Sequence, residues 1–520
     1  MATEWSRMWA SASFVGVLII IGVPLWWKTT EVFRVSLPYD KINEFDSEAH
    51  YITTELTVLA NDERTASDVA ELIEKSFQNS DVIKLKITKE VISNQLRDTL
   101  DTVAEEQEAT EEIGGTFDLK KHNRFYVVQR TPLFQDVWIG GDRVAFFRDA
   151  KAAVNLVEAL KKWIYEPSVL YGARSETGDL ARQIRFPGGD GYHVVMSVVN
   201  PKPHKLKVEF DAAEAVEDYI GSFVDELSEL HNFTLKSQWL YLLDFDFQPR
   251  KVMDNTEVGY HFAVRHERLH LLLTKLEERA ATHVSELPTI NLALYVTQCD
   301  MSPAVIYDTT NKKVDSPAQA FMSPKWGGVV LDSPPPEGCV EGIHRPPVAR
   351  VMGTFITQLR KLIGITDKES IPGCHLEALR SVTPRRWEVD SLLRIRTLEQ
   401  VTSAERSLKS LAKLLGEISN IVINEEVGAS INQAVQSIQV ARELLRSGRL
   451  LEAYRASQAA FLAAETAFME PSLLALLYFP DDQKYAIYIP LFLPIMFPVI
   501  LSLKNLVLWF RGKLPKEKVE

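Results

Sequence analysis

The stretch "AVRHERLHLLLTKLEER" holds the sharpest chemical pattern in this sequence, His266-Glu267-Arg268-Leu269-His270. In H-E-x-x-H, two imidazoles one helical turn apart share a face and bind zinc, while the glutamate takes a proton from the attacking water. Glu277, Glu278 and Glu286 are the nearest candidates for a third ligand. Two facts oppose this reading. Arg268 lies inside the motif and Arg265 just before it, which puts positive charge where a dication would sit. Five-residue patterns also recur by chance. The plainer expectation is an amphipathic helix with Leu269, Leu271 and Leu272 inward and the histidines near the surface.

Three cysteines, Cys299, Cys339 and Cys374, allow one disulfide and one free thiol, and their spacing leaves the pair open. Cys374-His375 suggests a thiol nucleophile, with His344 in "GIHRPP" as a further histidine. Sequence neighbours rarely meet in the geometry such a pair needs, because partners are neighbours in space. A buried or disulfide-bonded thiol is the simpler state. There is no G-x-S-x-G and no G-x-x-x-x-G-K-[ST], and "FPGGDGYH" (186–193) reads as a loop leading into a strand. Asn232-Phe233-Thr234 is the only N-x-[ST] sequon with a permitted middle residue, and so the glycosylation candidate. No catalytic or cofactor-binding set is expected.

The elements that must carry these residues are legible in part. The chain has 520 residues, 46% hydrophobic and 25% charged, enough for two or three domains with a self-sufficient core. A net charge of -12 argues against nucleic-acid binding. Alternating and β-branched runs predict strands at 51–59, 81–88, 124–129, 192–200, 290–298 and 326–331. Helical periodicity predicts helices at 66–78 (with Asp68 near the start), 151–164, 212–231 and 348–364. This implies an α/β or α+β domain with a mixed sheet over about 45–385. "EEQEATEE" (105–112) reads as a solvated helix face. After about 395 the strand signal ends, and 397–418, 425–448 (stopped by Gly448) and 449–469 read as a small antiparallel bundle.

Both ends are apolar. Trp9–Trp27 is about 19 residues without charge and is not followed by a small-residue cleavage site, as in an anchor rather than a cleaved signal. A second uncharged run starts at Tyr485 and contains Pro490, Pro494 and Pro498. Prolines in lipid need neighbouring helices or waters to satisfy the freed carbonyls, so this span is expected to sit in a bundle with partner proteins. Lys504, Arg511, Lys513, Lys516 and Lys518 make the C-terminal side cytosolic, with Asp481 and Asp482 at the opposite boundary, available to cap the helix. The expected organisation is a cytosolic 1–8, a span at 9–27, a lumenal α/β domain at 28–395, a lumenal helical segment at 396–470, a juxtamembrane 471–484, a span at 485–510 and a basic cytosolic tail at 511–520.

"GVPLWWKTTEVFRVSLPY" (22–39), "INLALYVTQ" (290–298), "SPKWGG" (323–328), "LLGEISNIVI" (414–423) and "EPSLLALLYFPDDQK" (470–484) closely resemble the PIG-S family, subunits of GPI transamidase. The resemblance runs from the first span to the second, with 60–180 the most divergent part. It implies a non-catalytic, structural subunit of the endoplasmic reticulum complex that attaches GPI anchors to proprotein C-termini. The thiol nucleophile would then lie on a separate caspase-like subunit. Implied partners are the other subunits, membrane lipid including GPI, and the proprotein indirectly; no cofactor is implied. The rival readings are a membrane-anchored lumenal zinc hydrolase built on His266 and His270, and a lone receptor-like binding protein.

Overall fold

The structure is a computed structural model of residues 1–520. It describes all residues except 1, 31–32, 48, 176–184, 187–188, 190, 255–258, 281–286, 380, 419–420, 472, 474–480 and 512–520. The chain forms two compact units. One comprises residues 47–403 and 437–460; the other comprises 1–46, 404–436 and 461–520.

The larger unit is mixed α/β. Its first sheet is built from β1 (Ile52–Ala60), β2 (Ile83–Val91), β3 (Arg124–Gln129), β4 (Val137–Ile139) and β5 (Val144–Phe147). The second uses β6 (Gly191–Asn200), β8 (Asn232–Tyr241), β11 (Thr289–Val296), β13 (Gln319–Ser323) and β14 (Gly327–Asp332). Smaller strands are β7 (Lys207–Val208), β9 (Arg250–Met253), β10 (Tyr260–Arg265), β12 (Ala304–Tyr307), β15 (Ile343–His344) and β16 (Cys374–Leu376).

The first sheet runs β16-β4-β5-β3-β1-β2 and the second β13-β14-β11-β6-β8. Without β16 the two are topologically equivalent. In each, the first strand is flanked by the second and third in parallel, a further strand extends the third in parallel, and one antiparallel strand follows. The fold is thus a tandem repeat of one α/β plan, in which parallel strands need covered faces and crossover segments. The second copy carries the extra β12-β10-β9 and β15-β7 sheets.

Strand alternation assigns the two faces of each sheet to different cores. Leu56, Val58, Phe125 and Val127 join Val194, Met196, Ile290, Leu292 and Leu294 in one core common to both sheets. The opposite faces, Tyr126, Val128 and Phe146 in one sheet and Ala293, Tyr295 and Leu331 in the other, line separate cores. Gly327 permits the β11–β14 pairing: its φ is +148°, and a Cβ there would lie 1.8 Å from the Asn291 carbonyl oxygen. No L side chain fits that position.

Several boundaries differ from the expectations above. The helix predicted from 66 spans Glu63–Phe77 and is capped by Asp62, whose carboxylate accepts the Thr65 amide at 2.8 Å, not by Asp68. The helix predicted at 397–418 spans Arg386–Glu417. Its first turns are buried on every side, so no polar face betrays them. Gly448, with φ +81°, ends the helix Glu425–Ser447 as expected. In the acidic helix Glu106–Thr116, Ala109, Thr110 and Ile113 are buried.

In the smaller unit, the helix Ala2–Val17 continues through a π-helical stretch, Leu18–Gly22, into Val23–Thr30. The helix Asp481–Phe510 includes Pro490, Pro494 and Pro498. The rings of Trp5 and Trp509 meet edge-on at 6.3 Å, and Val15 and Val499 are buried. Among the described residues, no helix is long and apolar enough to cross a membrane. A parallel bridge joins Arg34 to Ile423.

Candidate functional site

The N-terminal part of the helix Arg386–Glu417 is the polar centre of the larger unit. Trp387, Leu392, Leu393, Ile395 and Leu398 belong to the common core, yet Glu388, Asp390, Arg394 and Arg396 are buried among them. Charges in such a place must be paired and hydrogen-bonded. Glu388 closes the helix start by accepting the Arg385 amide at 2.9 Å, half of a capping box, and also pairs with Arg360 at 2.8 Å.

Asp390 faces the first sheet. It receives the Arg143 guanidinium through two hydrogen bonds of 2.6 and 2.8 Å and the His122 Nδ1 at 2.7 Å. His122 Nε2 reaches Glu229 at 2.8 Å. Burial alone would raise the Asp390 pKa, but the Arg143 and His122 contacts outweigh it and hold the carboxyl at about 2. Burial likewise opposes the charged form of His122, yet its bond to Asp390 and that carboxylate's charge raise its pKa. Arg394 donates to the Ile164 carbonyl at 3.1 Å, and burial lowers its pKa. Arg396 donates to the Phe186 and Ile363 carbonyls at 2.9 and 3.0 Å, linking the helix to elements around the second sheet. Asn123, with φ +62°, donates to the Thr53 and Gly448 carbonyls. Each of these charged side chains is hydrogen-bonded to a neighbour, so the arrangement holds elements together.

The carboxyl end of the second sheet carries further polar groups. Asp332 pairs with His344 Nε2 at 2.6 Å, both buried. Cys299 and Cys339 form the disulfide that the sequence left open. Cys374 is the free thiol; it donates to the Asn155 carbonyl at 3.5 Å. Burial, with the charges of Glu158 and Asp136, pushes the thiol up to about 11, far from the thiolate a nucleophile needs. His344 is committed to Asp332 and His375 is exposed. The nucleophile pattern is therefore not assembled.

His266 and His270 lie at the start of the helix His266–Arg279, exposed, as is Glu267. Leu269 and Leu272 are buried and Leu271 is half-buried. Among the described residues no three potential ligands gather, and Glu286 lies outside the described residues. Asn232 is the exposed first residue of the edge strand β8, and Thr234 is exposed two residues on, facing the same side. Pro490, Pro494 and Pro498 are exposed on their helix. That helix begins at Asp481, but the side chains of Asp481 and Asp482 lie outside the described residues. The network around Asp390 was not foreseen. Its only sequence sign is five charges within the otherwise apolar run "RWEVDSLLRIR".

The larger unit is a two-sheet α/β scaffold whose internal charges are paired with one another, and among the described residues no metal-ligand set gathers in it. The chain matches the family described as phosphatidylinositol-glycan biosynthesis class S protein over residues 13–513, and it belongs to that family. It is 34% identical to "GPI-anchor transamidase component PIGS" of Bos taurus over 538 positions, covering 96% of this chain and 94% of that protein. It is 24% identical to "GPI transamidase component PIG-S homolog" of Schizosaccharomyces pombe, covering 94% of this chain and 81% of that protein. It is also 22% identical to "GPI transamidase component GPI17" of Saccharomyces cerevisiae, covering 94% of this chain and 90% of that protein.

Proposed function

We propose that this chain is a non-catalytic, structural subunit of GPI transamidase, supporting the attachment of GPI anchors to proprotein C-termini. The observation that carries the reading is the family match over nearly the whole chain, from residue 13 to 513. The chemistry of its one free thiol agrees with it: buried Cys374 is held protonated, so the nucleophile belongs to another, caspase-like subunit.

In this reading the two apolar ends cross the endoplasmic reticulum membrane at 9–27 and 485–510. Both termini are cytosolic, and residues 28–484 lie in the lumen, where Asn232 is glycosylated. Exposed Ile20, Trp27, Phe497 and Ile500 support it, because an apolar band of this kind is costly in water and at ease in lipid. Pro490, Pro494 and Pro498 shape the second span for packing against neighbouring helices, and Asp481 and Asp482 mark its lumenal boundary. The lumenal body contacts the other subunits; GPI lies among the lipids around the spans, and the proprotein is met through the partners.

Mass spectrometry of what co-purifies with the tagged full chain in mild detergent tests the reading. Other transamidase subunits in constant ratio are expected. A lone particle of about the chain's own 58.9 kDa plus detergent overturns it. Protease treatment of sealed microsomes is expected to spare residues 28–484, and their loss with intact vesicles overturns the topology.

A further inference from the structure

The first sheet ends in an open edge. β2 is its terminal strand and pairs only with β1. The Ile52 amide donates to the Val82 carbonyl at 2.8 Å and the Ile92 amide to the Ala60 carbonyl at 2.9 Å, so even-numbered residues of β2 face β1. In a parallel ladder the alternate residues then aim their N–H and C=O groups outward. Ser80 Oγ accepts the Ile83 amide at 3.3 Å. The amides and carbonyls of Leu85, Ile87 and Lys89 find no partner among the described residues.

The two sides of this edge differ in chemistry. On one side, β2 and the helix Glu63–Phe77 border a groove of about 610 Å³. Phe77, Ile83 and Leu85 give it apolar lining, while Glu71 and Glu74 line it from the helix. Leu85 and Ile87 are half-buried against the common core on that side. The other side is basic, with Lys84 and Lys86 exposed. There, Arg124 of β3, Glu55 of β1 and Lys86 of β2 stand in register across the sheet. Glu55 accepts the Arg124 guanidinium at 2.6 and 2.8 Å. The row alternates in sign and stops on a cation, so the next place outward suits a carboxylate.

We propose that the β2 edge takes up an extended segment of a partner protein as an added strand. Its apolar side chains enter the groove, and its alternate, acidic side chains lie against Lys84 and Lys86. Main-chain bonds to Leu85, Ile87 and Lys89 give affinity, and the alternation gives specificity. A slip of one residue would turn the acids toward Glu71 and Glu74, so charge fixes the register. Two-fold pairing with a second copy would bring another Glu71 and Glu74 to the same groove, which disfavours the chain as its own partner.

Fluorescence anisotropy of a labelled peptide of alternating glutamate and valine, titrated with the full chain in detergent, tests this. Saturable binding is expected, weakened by about tenfold or more when lysine replaces glutamate in the peptide. A peptide of the same composition with its glutamates and valines in separate blocks should bind no better than the lysine peptide. Lys89→Pro removes an outward N–H that an edge strand can lose, and should weaken binding without lowering the melting temperature. Lys84→Glu with Lys86→Glu should reverse the preference between the two alternating peptides. Hydrogen exchange should slow at Leu85, Ile87 and Lys89 on binding and stay unchanged in β8. Absence of saturable binding, equal affinity for both charge signs, or protection in β8 in place of β2 overturns the inference. The surface extends the assembly role, but the titration is independent of co-purification, so its failure would leave that role standing.

Discussion

In the first sheet, the carboxyl ends of β1 and β3 are bridged by arginines. Arg97 donates to the Asn61 carbonyl at 2.7 Å, and buried Arg130 donates to the Leu100 carbonyl at 3.0 Å, at the end of the helix Asn94–Thr102. Gln129 also accepts the Asn61 amide at 3.0 Å. In the second sheet, the equivalent ends of β6 and β11 enclose a cavity of about 120 Å³, lined in part by Gln298. One strand order has thus been finished in two ways. Guanidinium groups satisfy orphan carbonyls at the first position, as cations at helix C-termini do. At the second, a short loop tied by a disulfide leaves space. The histidines of the two halves diverge as well. His122 is drawn to its charged form by Asp390, whereas His231, packed edge-on against Tyr192 at 4.9 Å, is kept neutral.

Breaking the Asp390 network should have the largest effect. Asp390→Ala leaves Arg143 and Arg394 buried without their carboxylate, and a loss of about 3–5 kcal/mol is expected. It is read as a lower denaturant midpoint, with faster amide exchange in β3 and β5 than in β6 and β11. Equal loosening of both sheets would refute the division drawn here. Next, Cys299→Ser with Cys339→Ser frees a link across 40 residues. Loop-closure entropy puts the loss at about 3–4 kcal/mol. Exchange should rise at residues 297–300 and 336–341 and stay unchanged at β1–β3.

A smaller effect is the pH dependence, which has opposite sign in the two halves. Burial, and then the Arg396 charge, lower the His231 pKa to about 3, against about 6.5 when unfolded. The unfolded chain therefore takes up this proton first, and stability falls as pH drops from about 6.5 toward 3. His231→Gln should flatten that acid slope. The raised pKa of His122 gives stabilisation that is complete below about 6.5 and lost as pH rises through its folded value. His122→Asn should remove that decline. Unfolding curves from pH 4 to 8 decide both, and unchanged slopes would contradict the assigned environments. The smallest effect is expected for His266→Ala with His270→Ala: under about 0.5 kcal/mol, as for exposed residues, and no change in zinc content by metal analysis.

Strands with a clean alternating or β-branched signal were legible to within a few residues. β3 matches the predicted 124–129, and β6 and β14 lie within a residue of expectation. Short strands such as β4, β5 and β16 were not, because three or four residues hold at most two repeats of the two-residue period, too few to stand out from chance. The helix from Arg386 was hidden because its charged residues face protein instead of water, which reverses the rule that polarity marks the surface. Cysteine pairing was equally hidden, since it depends on which Cα atoms come within about 6 Å.

By itself, the sequence determined the family, the apolar character of both ends, and the positions of most amphipathic helices and of six strands, though not of the ten-residue β8 or of the start of the Arg386 helix. These rest on composition and on periods of 2 and 3.6 residues, which are local properties of the chain. Only the tertiary structure decided that two sheets repeat one strand order, that Asp390 meets Arg143 from 247 positions away, and that Cys299 joins Cys339 while Cys374 stays buried. Those outcomes depend on which distant groups share a low-dielectric interior, where an unpaired charge is costly and a paired one becomes a fastener.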